Sequence, residues 1–354
     1  MDYENMIISR DELILVTGAN GFIGKCVTEA LLSYGFNNLR CFVRPSGEIA
    51  KLKEVIGRFS NNKAELVYGN LISPDDCRNA CKGVKVIFHL AAGIEKTFPG
   101  CFMNSVVTTR NLLNSALSEG VIKRFVNVSS FAVYSNMNIK RGGMLDETCE
   151  LESQFMERQD AYCFGKVKQD EIVLEYAKKF GLPYVIVRPG VVYGPGAKGA
   201  IHSRVGIGTF GIFLHLGGSN NLPLAYIDNC ADAIVLAGIT KGVDGEVFNI
   251  VDDNLVTSRR FLKLYKKNVK HFKSIFIPYR IFYMFCYLWE RYSKWSVGQL
   301  PPAFNRRKCA AEWKGNQYSN KKLKDLLGWE PKLSADERLN RHYEYFKRMG
   351  VTHA

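Results

Sequence analysis

An apolar run, Leu13-Ile14-Leu15-Val16, breaks at Thr17 into the octet TGANGFIG and leads straight into helix-compatible residues from Phe22 to Tyr34. A strand that ends in three glycines and opens a helix fits few folds. Gly18 permits a tight turn, Gly21 lets the backbone approach a ligand, and Gly24 lets the helix pack close to the strand. The first turn of that helix presents unpaired N–H groups and the positive end of its dipole. Together these make an anion site suited to a pyrophosphate.

The rest of the first two thirds repeats the alternation. Strand-like runs at Leu39–Val43, Glu65–Tyr68, Val84–Leu90, Arg124–Val128 and Tyr184–Val187 are separated by helical stretches at 74–81, 104–118 and 162–180. Ser73-Pro74-Asp75-Asp76 is a helix start with a cap, an early proline and acids at the dipole's positive end. Strands alternating with helices predict an α/β fold with a doubly wound parallel (Rossmann) sheet. The 354 residues, 47% hydrophobic, suffice for that sheet and a lobe. Regularity loosens after Tyr193 and returns at 224–251, where a strand, a helix and a strand are expected. The predicted division is a dinucleotide-binding domain over 10–195 with 224–251 returning to it. A smaller, mostly helical C-terminal substrate lobe would be built from 196–223 and 252–345.

Three features carry chemistry. Tyr162 and Lys166 stand four apart in YCFGK and share one face of a helix. A free phenol, with a pKa of about 10, is a poor base near neutrality; a neighbouring ammonium favours the phenolate. Upstream, Val126-Asn-Val-Ser129-Ser130 closes a strand. A hydroxyl there can hold a substrate oxygen, although turn chemistry alone also explains serines. At the end of the second strand, Arg40-Cys-Phe-Val-Arg44-Pro-Ser46 has no acid before Glu48. An acid there would accept from a ribose 2′-hydroxyl, whereas a guanidinium pairs with a 2′-phosphate. Arg44 therefore points to NADP(H), with NAD(H) as the alternative.

This set resembles the extended short-chain dehydrogenase/reductase family, also called the epimerase/dehydratase family. The matching pieces are Thr17–Gly24, Gly69-Asn70-Leu71, His89-Leu-Ala-Ala92, Asn104, Val128–Tyr134, Tyr162 with Lys166, Arg188-Pro-Gly190, Tyr193-Gly-Pro195, the segment 222–229 and Gly328-Trp-Glu-Pro331. They follow the family's order. The resemblance implies Tyr162 as general acid/base, Lys166 on the nicotinamide ribose, and Ser130, four before Tyr134, as the catalytic serine. It places Gly18, Asn20, Gly21, Phe22, Ile23 and Gly24 around the cofactor's phosphates. Asn70 and Leu71 would lie near the adenine, where many relatives carry Asp in place of Asn70. Ala91 and Ala92 would let the cofactor lie against the fourth strand, Asn104 would support the site, and Pro189 and Gly190 would line the nicotinamide end. His89 matches a position of structural character. A homodimer is a family expectation.

The last third departs from the rest in charge. From Val256 to Ala354 there are 22 Lys plus Arg and 7 Asp plus Glu; the preceding residues hold 26 and 27. Arg259–Lys273 carries five lysines among apolar residues, and Ile275–Tyr292 is densely apolar and aromatic, with an uncharged core of only nine residues, Ile281–Trp289. That is too short to span a bilayer. It reads as a lid or core helix of the substrate lobe, or as a peripheral membrane contact over 259–292. Such a lobe resembles that of the 3β-hydroxysteroid dehydrogenase-like branch, which implies an apolar alcohol or ketone as the small-molecule substrate. Against this, Arg306, Arg307 and Lys308 could grip the diphosphate of a nucleotide sugar.

The expected activity is NAD(P)-dependent interconversion of an alcohol and a ketone. The alternatives are a nucleotide-sugar epimerase/dehydratase with tightly bound NAD, and an idle NADP-binding protein that docks a partner or membrane. Nucleic acid is not expected, because no groove-reading module accompanies the lysines. The ten cysteines are scattered without a C-x-x-C, so no metal site is expected. With no secretory leader in Met1–Arg10, the expectation is a reducing cytoplasm, with membrane association left open.

Overall fold

The structure, a computed structural model, describes residues 5–297 and 299–350. Its central sheet has seven strands, in the spatial order Val247–Ile250, Tyr184–Pro189, Arg124–Val128, Val86–His89, Ile14–Thr17, Leu39–Val43 and Glu65–Tyr68. All neighbours are parallel. From Ile14–Thr17 the chain first builds outward through Leu39–Val43 to Glu65–Tyr68. It then crosses back to Val86–His89 and builds the other way. At that reversal neighbouring crossovers leave for opposite faces, and a crevice opens at the strands' carboxyl ends.

The inner strands are largely apolar because both faces are covered, while the edge strand Glu65–Tyr68 is half exposed. Every residue of Ile14–Thr17 and Arg124–Val128 is buried. Alternation divides them between two cores. Ile14, Val16, Phe88 and Val126 join one cluster with the helices Phe22–Ser33 and Ile227–Ile239. Leu15, Ile87 and Phe125 join the other, with the helices Pro74–Cys81, Thr108–Glu119 and Ala161–Phe180. The doubly wound parallel sheet expected from the alternation is the one observed.

Several boundaries differ from expectation. The helix predicted over 104–118 starts earlier and in three parts. Thr97 caps a turn at Phe98–Cys101, six residues at Phe102–Val107 take the wider π form, and a regular helix follows at Thr108–Glu119. Such widened turns recur at functional sites. The helix Ala50–Gly57 has only Leu52 and Val55 buried, too few to leave a clear apolar period. Leu224–Tyr226 pairs with Val191–Tyr193 and does not enter the main sheet. Leu323, Leu327 and Trp329, assigned by sequence to the substrate lobe, pack into the first core of the Rossmann domain. The lobe is not purely helical either. Gly206–Thr209, Ile212–His215 and Ser274–Phe276 form a small sheet, and the helix of the aromatic stretch begins only at Tyr279, after Pro278.

The glycine turn shows why its spacing is strict. Gly18 lies at φ +67°, in the left-handed region. A Cβ on Gly24 would stand 2.1 Å from the Gly18 carbonyl oxygen and 2.9 Å from the Ala19 Cα. Gly24→Ala is expected to destabilise the fold by about 1–3 kcal/mol, the ordinary cost of overpacking. Urea unfolding of the two proteins measures it, and indistinguishable midpoints would show that the helix can move off the turn.

Candidate active site

The crevice at the sheet's reversal holds a cavity of about 240 Å³. Gly18, Asn20, Gly21, Arg44, Asn70, Leu71, Ala91, Ala92 and Asn104 line it, joined by Phe42, Leu90, Ile94, Glu95 and Thr108. Gly21 is the residue before the helix Phe22–Ser33, and no side chain caps that helix. Its first amides are therefore available to an anion. Arg44 is exposed at the cavity's edge. Asn70 is engaged locally, its carbonyl accepting from the Ile72 amide at 3.0 Å. Asn104, on the π turn, donates to Glu95 at 2.8 Å, and the two close one rim.

Other residues expected at the cofactor do not line this cavity. The side chains of Phe22 and Ile23 turn into the apolar clusters, leaving only their backbone near the turn. Gly24 serves the helix–turn contact. Pro189 is buried at the end of its strand, and Gly190 packs on its far neighbour, where a Cβ would stand 2.2 Å from the Pro223 carbonyl oxygen.

Strand ends and one helix bring the reactive side chains together. Ser130 follows the strand Arg124–Val128; its hydroxyl accepts from the Ala132 amide at 3.2 Å and stands near enough to the Tyr162 phenol to lower its pKa. Ser129 is committed elsewhere, donating to Asp170 at 2.9 Å. Lys166 lies one turn beyond Tyr162, but its ammonium points inward, donating to the Val128 carbonyl at 2.6 Å and to Gln169 at 2.8 Å. The expectation that Lys166 lowers the phenol's pKa is therefore not met in this arrangement. Burial holds Tyr162 above its ordinary value, opposed by the nearby Ser130 hydroxyl. Burial also pulls Lys166 down to about 8, with Asp170 acting the other way.

Behind these groups lies a polar layer that the sequence did not announce. Gln169 donates to Thr109 at 2.9 Å, and Thr109 in turn donates to the Ser105 carbonyl at 2.5 Å. With its proton so used, Thr109 can only accept from His89 Nε2, 2.8 Å away. His89 Nδ1 then accepts from Thr17, also at 2.8 Å. An unbroken buried chain thus runs from the strand before the glycine turn to Lys166. His89 is more than packing: it is a neutral imidazole whose tautomer is set by its neighbours. Asp170 organises a second group, with Asn127 at 2.8 Å, Ser129, and Arg188 at 3.2 Å. The signal for both was present: Lys166, Gln169 and Asp170 are polar residues on the buried face of one helix.

A second cavity, of about 440 Å³, lies in the C-terminal lobe, lined by Met137, Met156, Pro302 and the underside of the helix Tyr279–Trp295. It does not include Ser130, Tyr162 or Lys166. Arg306 and Arg307 border it, but both are paired, Arg306 with Glu290 at 2.8 Å and Arg307 with Glu157 at 2.8 Å and Glu152 at 3.2 Å. Neither guanidinium is the open diphosphate clamp that the sequence alone suggested. Among the described residues no cluster of His, Cys, Asp and Glu is placed to hold a metal ion, and all ten cysteines are free thiols.

The fold and the turn belong to a recognisable class. Residues 14–251 match the model of the NAD dependent epimerase/dehydratase family, and the chain belongs to that family. Among curated relatives, it is 33% identical over 188 residues to a cinnamoyl-CoA reductase 1 of Oryza sativa subsp. japonica, covering 52% of this chain and 54% of the reductase. The corresponding reductase of Petunia hybrida is 29% identical over 61% of this chain and 65% of its own length, so the chain spans only half to two thirds of these relatives. A sterol-4-alpha-carboxylate 3-dehydrogenase, decarboxylating, of Mus musculus is 22% identical over 97% of this chain and 93% of that enzyme. Among solved structures, the UDP-glucuronic acid 4-epimerase from Bacillus cereus in complex with NAD superposes with a TM-score of 0.71 at 22% identity, over 96% of this chain and 100% of that one. A dTDP-glucose 4,6-dehydratase from Streptomyces venezuelae gives 0.72 at 20% identity, over 95% and 97%.

Burial, reinforced by the Lys166 ammonium, lowers the His89 pKa to about 3. Its unfolded value is about 6.5. The stability it contributes is thus complete above about 6.5 and is lost as the pH falls toward the folded value. In ¹⁵N spectra of the imidazoles, the His89 signal, assigned by its loss in His89→Gln, is expected to remain that of the neutral Nε2–H form from pH 8 to pH 5. A titration midpoint near 6.5 would show that the chain of hydrogen bonds is open.

Proposed function

We propose that this protein is an NAD(P)-dependent oxidoreductase that interconverts an apolar alcohol and its ketone. The observation that carries this reading is the Ser130 hydroxyl set near the Tyr162 phenol at the strand end beside the dinucleotide crevice. In the reducing direction Tyr162 donates a proton to the carbonyl oxygen while Ser130 holds that oxygen in place. In the oxidising direction Tyr162 takes the proton back. A nicotinamide dinucleotide, when bound, supplies or accepts the hydride. The glycine turn, the uncapped helix start and the cavity lined by Ala91 and Ala92 fit that group. Lys166 would turn from the Val128 carbonyl to hold the nicotinamide ribose, and its ammonium would then favour the phenolate.

Arg44 at the cavity's edge, with no acid in its place, supports NADP(H) over NAD(H). The paired states of Arg306 and Arg307 speak against a nucleotide sugar. The full-length similarity to a sterol dehydrogenase supports an apolar substrate of the 3β-hydroxysteroid dehydrogenase-like kind.

The test begins with mass spectrometry of small molecules that purify with the protein. NADPH oxidation is then followed with a panel of apolar ketones. An oxidoreductase exchanges its cofactor and consumes NADPH; NAD retained through purification and no net consumption would overturn the reading in favour of an epimerase. Tyr162→Phe is expected to lower turnover by about a hundred- to ten-thousand-fold while leaving NADPH binding intact. Near-normal turnover would remove Tyr162 from the chemistry. Arg44→Asp should shift the preference toward NADH by about tenfold or more, the worth of one charge-assisted hydrogen bond. An unchanged ratio of the two affinities would refute the 2′-phosphate assignment.

A further inference from the structure

The helix Tyr279–Trp295 buries Phe282, Cys286 and Ser293 against the lobe. Its other side is apolar and uncovered. Ile281, Met284, Phe285, Leu288, Tyr292 and Trp295 are 61%, 56%, 41%, 58%, 48% and 77% exposed. Their spacing of three and four residues draws them into one stripe, about 21 Å long at the helical rise. A globular core has no use for a stripe facing away from it. Leu288 or Trp295 alone would mean little, but six in line are a surface.

The stripe continues onto the small sheet. Register puts Ile207, Leu214 and Ile275 side by side, and alternation adds Ile212 to the same face. Ile207 packs into the cluster beneath the helix, so this face adjoins it. Ile212 and Ile275 are 37% and 53% exposed. At the hairpin tip Phe210 is fully exposed at φ +45°. That left-handed conformation favours Gly or Asn and strains a phenylalanine. Neither folding nor packing accounts for an aromatic ring there.

The charge around the patch has one sign. Arg259–Lys294 contains ten Lys or Arg and one acid, Glu290, which is already paired with Arg306. Arg280 and Arg291 lie three turns apart, about a quarter turn round the helix from the stripe. Lys263, Lys267 and Lys273 are exposed on the preceding segment. None of these five forms an ion pair among the described residues. A second copy of the chain would meet this surface with like charge. No described helix is long and apolar enough to cross a membrane. An apolar stripe with aromatic ends and a basic border is instead the composition of a helix that lies in a lipid interface.

We propose that the helix Tyr279–Trp295 and the adjoining sheet face, with the Phe210 hairpin tip, seat the protein on an anionic phospholipid surface. Ile281, Phe285, Leu288 and Trp295 enter the boundary between headgroups and acyl chains. Arg280, Arg291 and the lysines of 263–273 meet the phosphates and anionic headgroups. Catalysis plays no part in this assignment, so loss of turnover in Tyr162→Phe leaves it untouched.

The experiment is co-sedimentation of the full chain with vesicles of phosphatidylcholine alone or mixed with phosphatidylglycerol. The protein is expected to pellet with the mixed vesicles, to stay largely in solution with the neutral ones, and to be released as salt is raised. Leu288→Glu should weaken partitioning by about tenfold, as should Phe210→Asn, since each removes an inserted apolar side chain. Both positions are exposed, and Phe210→Asn relieves backbone strain, so thermal unfolding should show both variants folded. Three results would overturn the proposal: wild type that ignores mixed vesicles, equal pelleting with both kinds, or Leu288→Glu that pellets like wild type. Wild type that ignores vesicles but forms a dimer dissociated by Leu288→Glu would assign the surface to a second copy instead.

Discussion

One carbonyl oxygen fixes the geometry on which the rest of this molecule depends. The Gly18 oxygen occupies the place a side chain of residue 24 would need, 2.1 Å from where its Cβ would be. That contact sets the first helix hard against the first strand and aims its uncapped amides into the crevice. Gly18 itself faces the backbone of Leu90 and Ala91, just past the end of the neighbouring strand, where a Cβ would stand 3.1 Å from the Ala91 nitrogen. The two walls of the dinucleotide cavity therefore have a single spacing. A larger residue at either glycine would change the spacing and the cavity together.

A second constraint ties that crevice to the reactive groups. The hydrogen-bonded chain Thr17–His89–Thr109–Gln169–Lys166 passes from strand to strand to helix without meeting water. Each member is buried and each has a partner, the condition under which polar groups in a core add order. The chain holds Lys166 turned inward as a cation with a depressed pKa. Tyr162 and Ser130 stand beside the Val128 carbonyl to which it is anchored. In this state the phenol is disfavoured as an anion. Its readiness for proton transfer depends on where the ammonium goes, and so on what fills the crevice.

The C-terminal lobe works on different physics. Its sheet and helices bury a small aromatic cluster around Phe282, Cys309 and Trp313 and leave large apolar side chains such as Ile281, Leu288 and Trp295 outside. Its guanidiniums are split by task. Arg306 and Arg307 are spent on Glu290, Glu157 and Glu152 beside the inner cavity, while Arg280 and Arg291 face outward. From sequence all four looked alike, because pairing is decided by carboxylates up to 155 residues away.

By itself the sequence determined the alternation of strands and helices, the glycine turn, the placing of Tyr162 and Lys166 on one helix face, and the excess of positive charge in the last third. These are local: period, turn chemistry and spacing along one helix carry them. Only the tertiary structure decided that Ser129 serves Asp170 while Ser130 meets Tyr162, that Lys166 turns inward, that His89 belongs to a hydrogen-bonded chain, and that Leu323 and Trp329 cross back to the first core. Each depends on residues distant in the chain that meet at strand ends, where the direction of a side chain follows from the sheet's topology. The aromatic stretch shows the same limit. Its length excluded a membrane span, but which of its faces is covered could be known only once the lobe had packed against it.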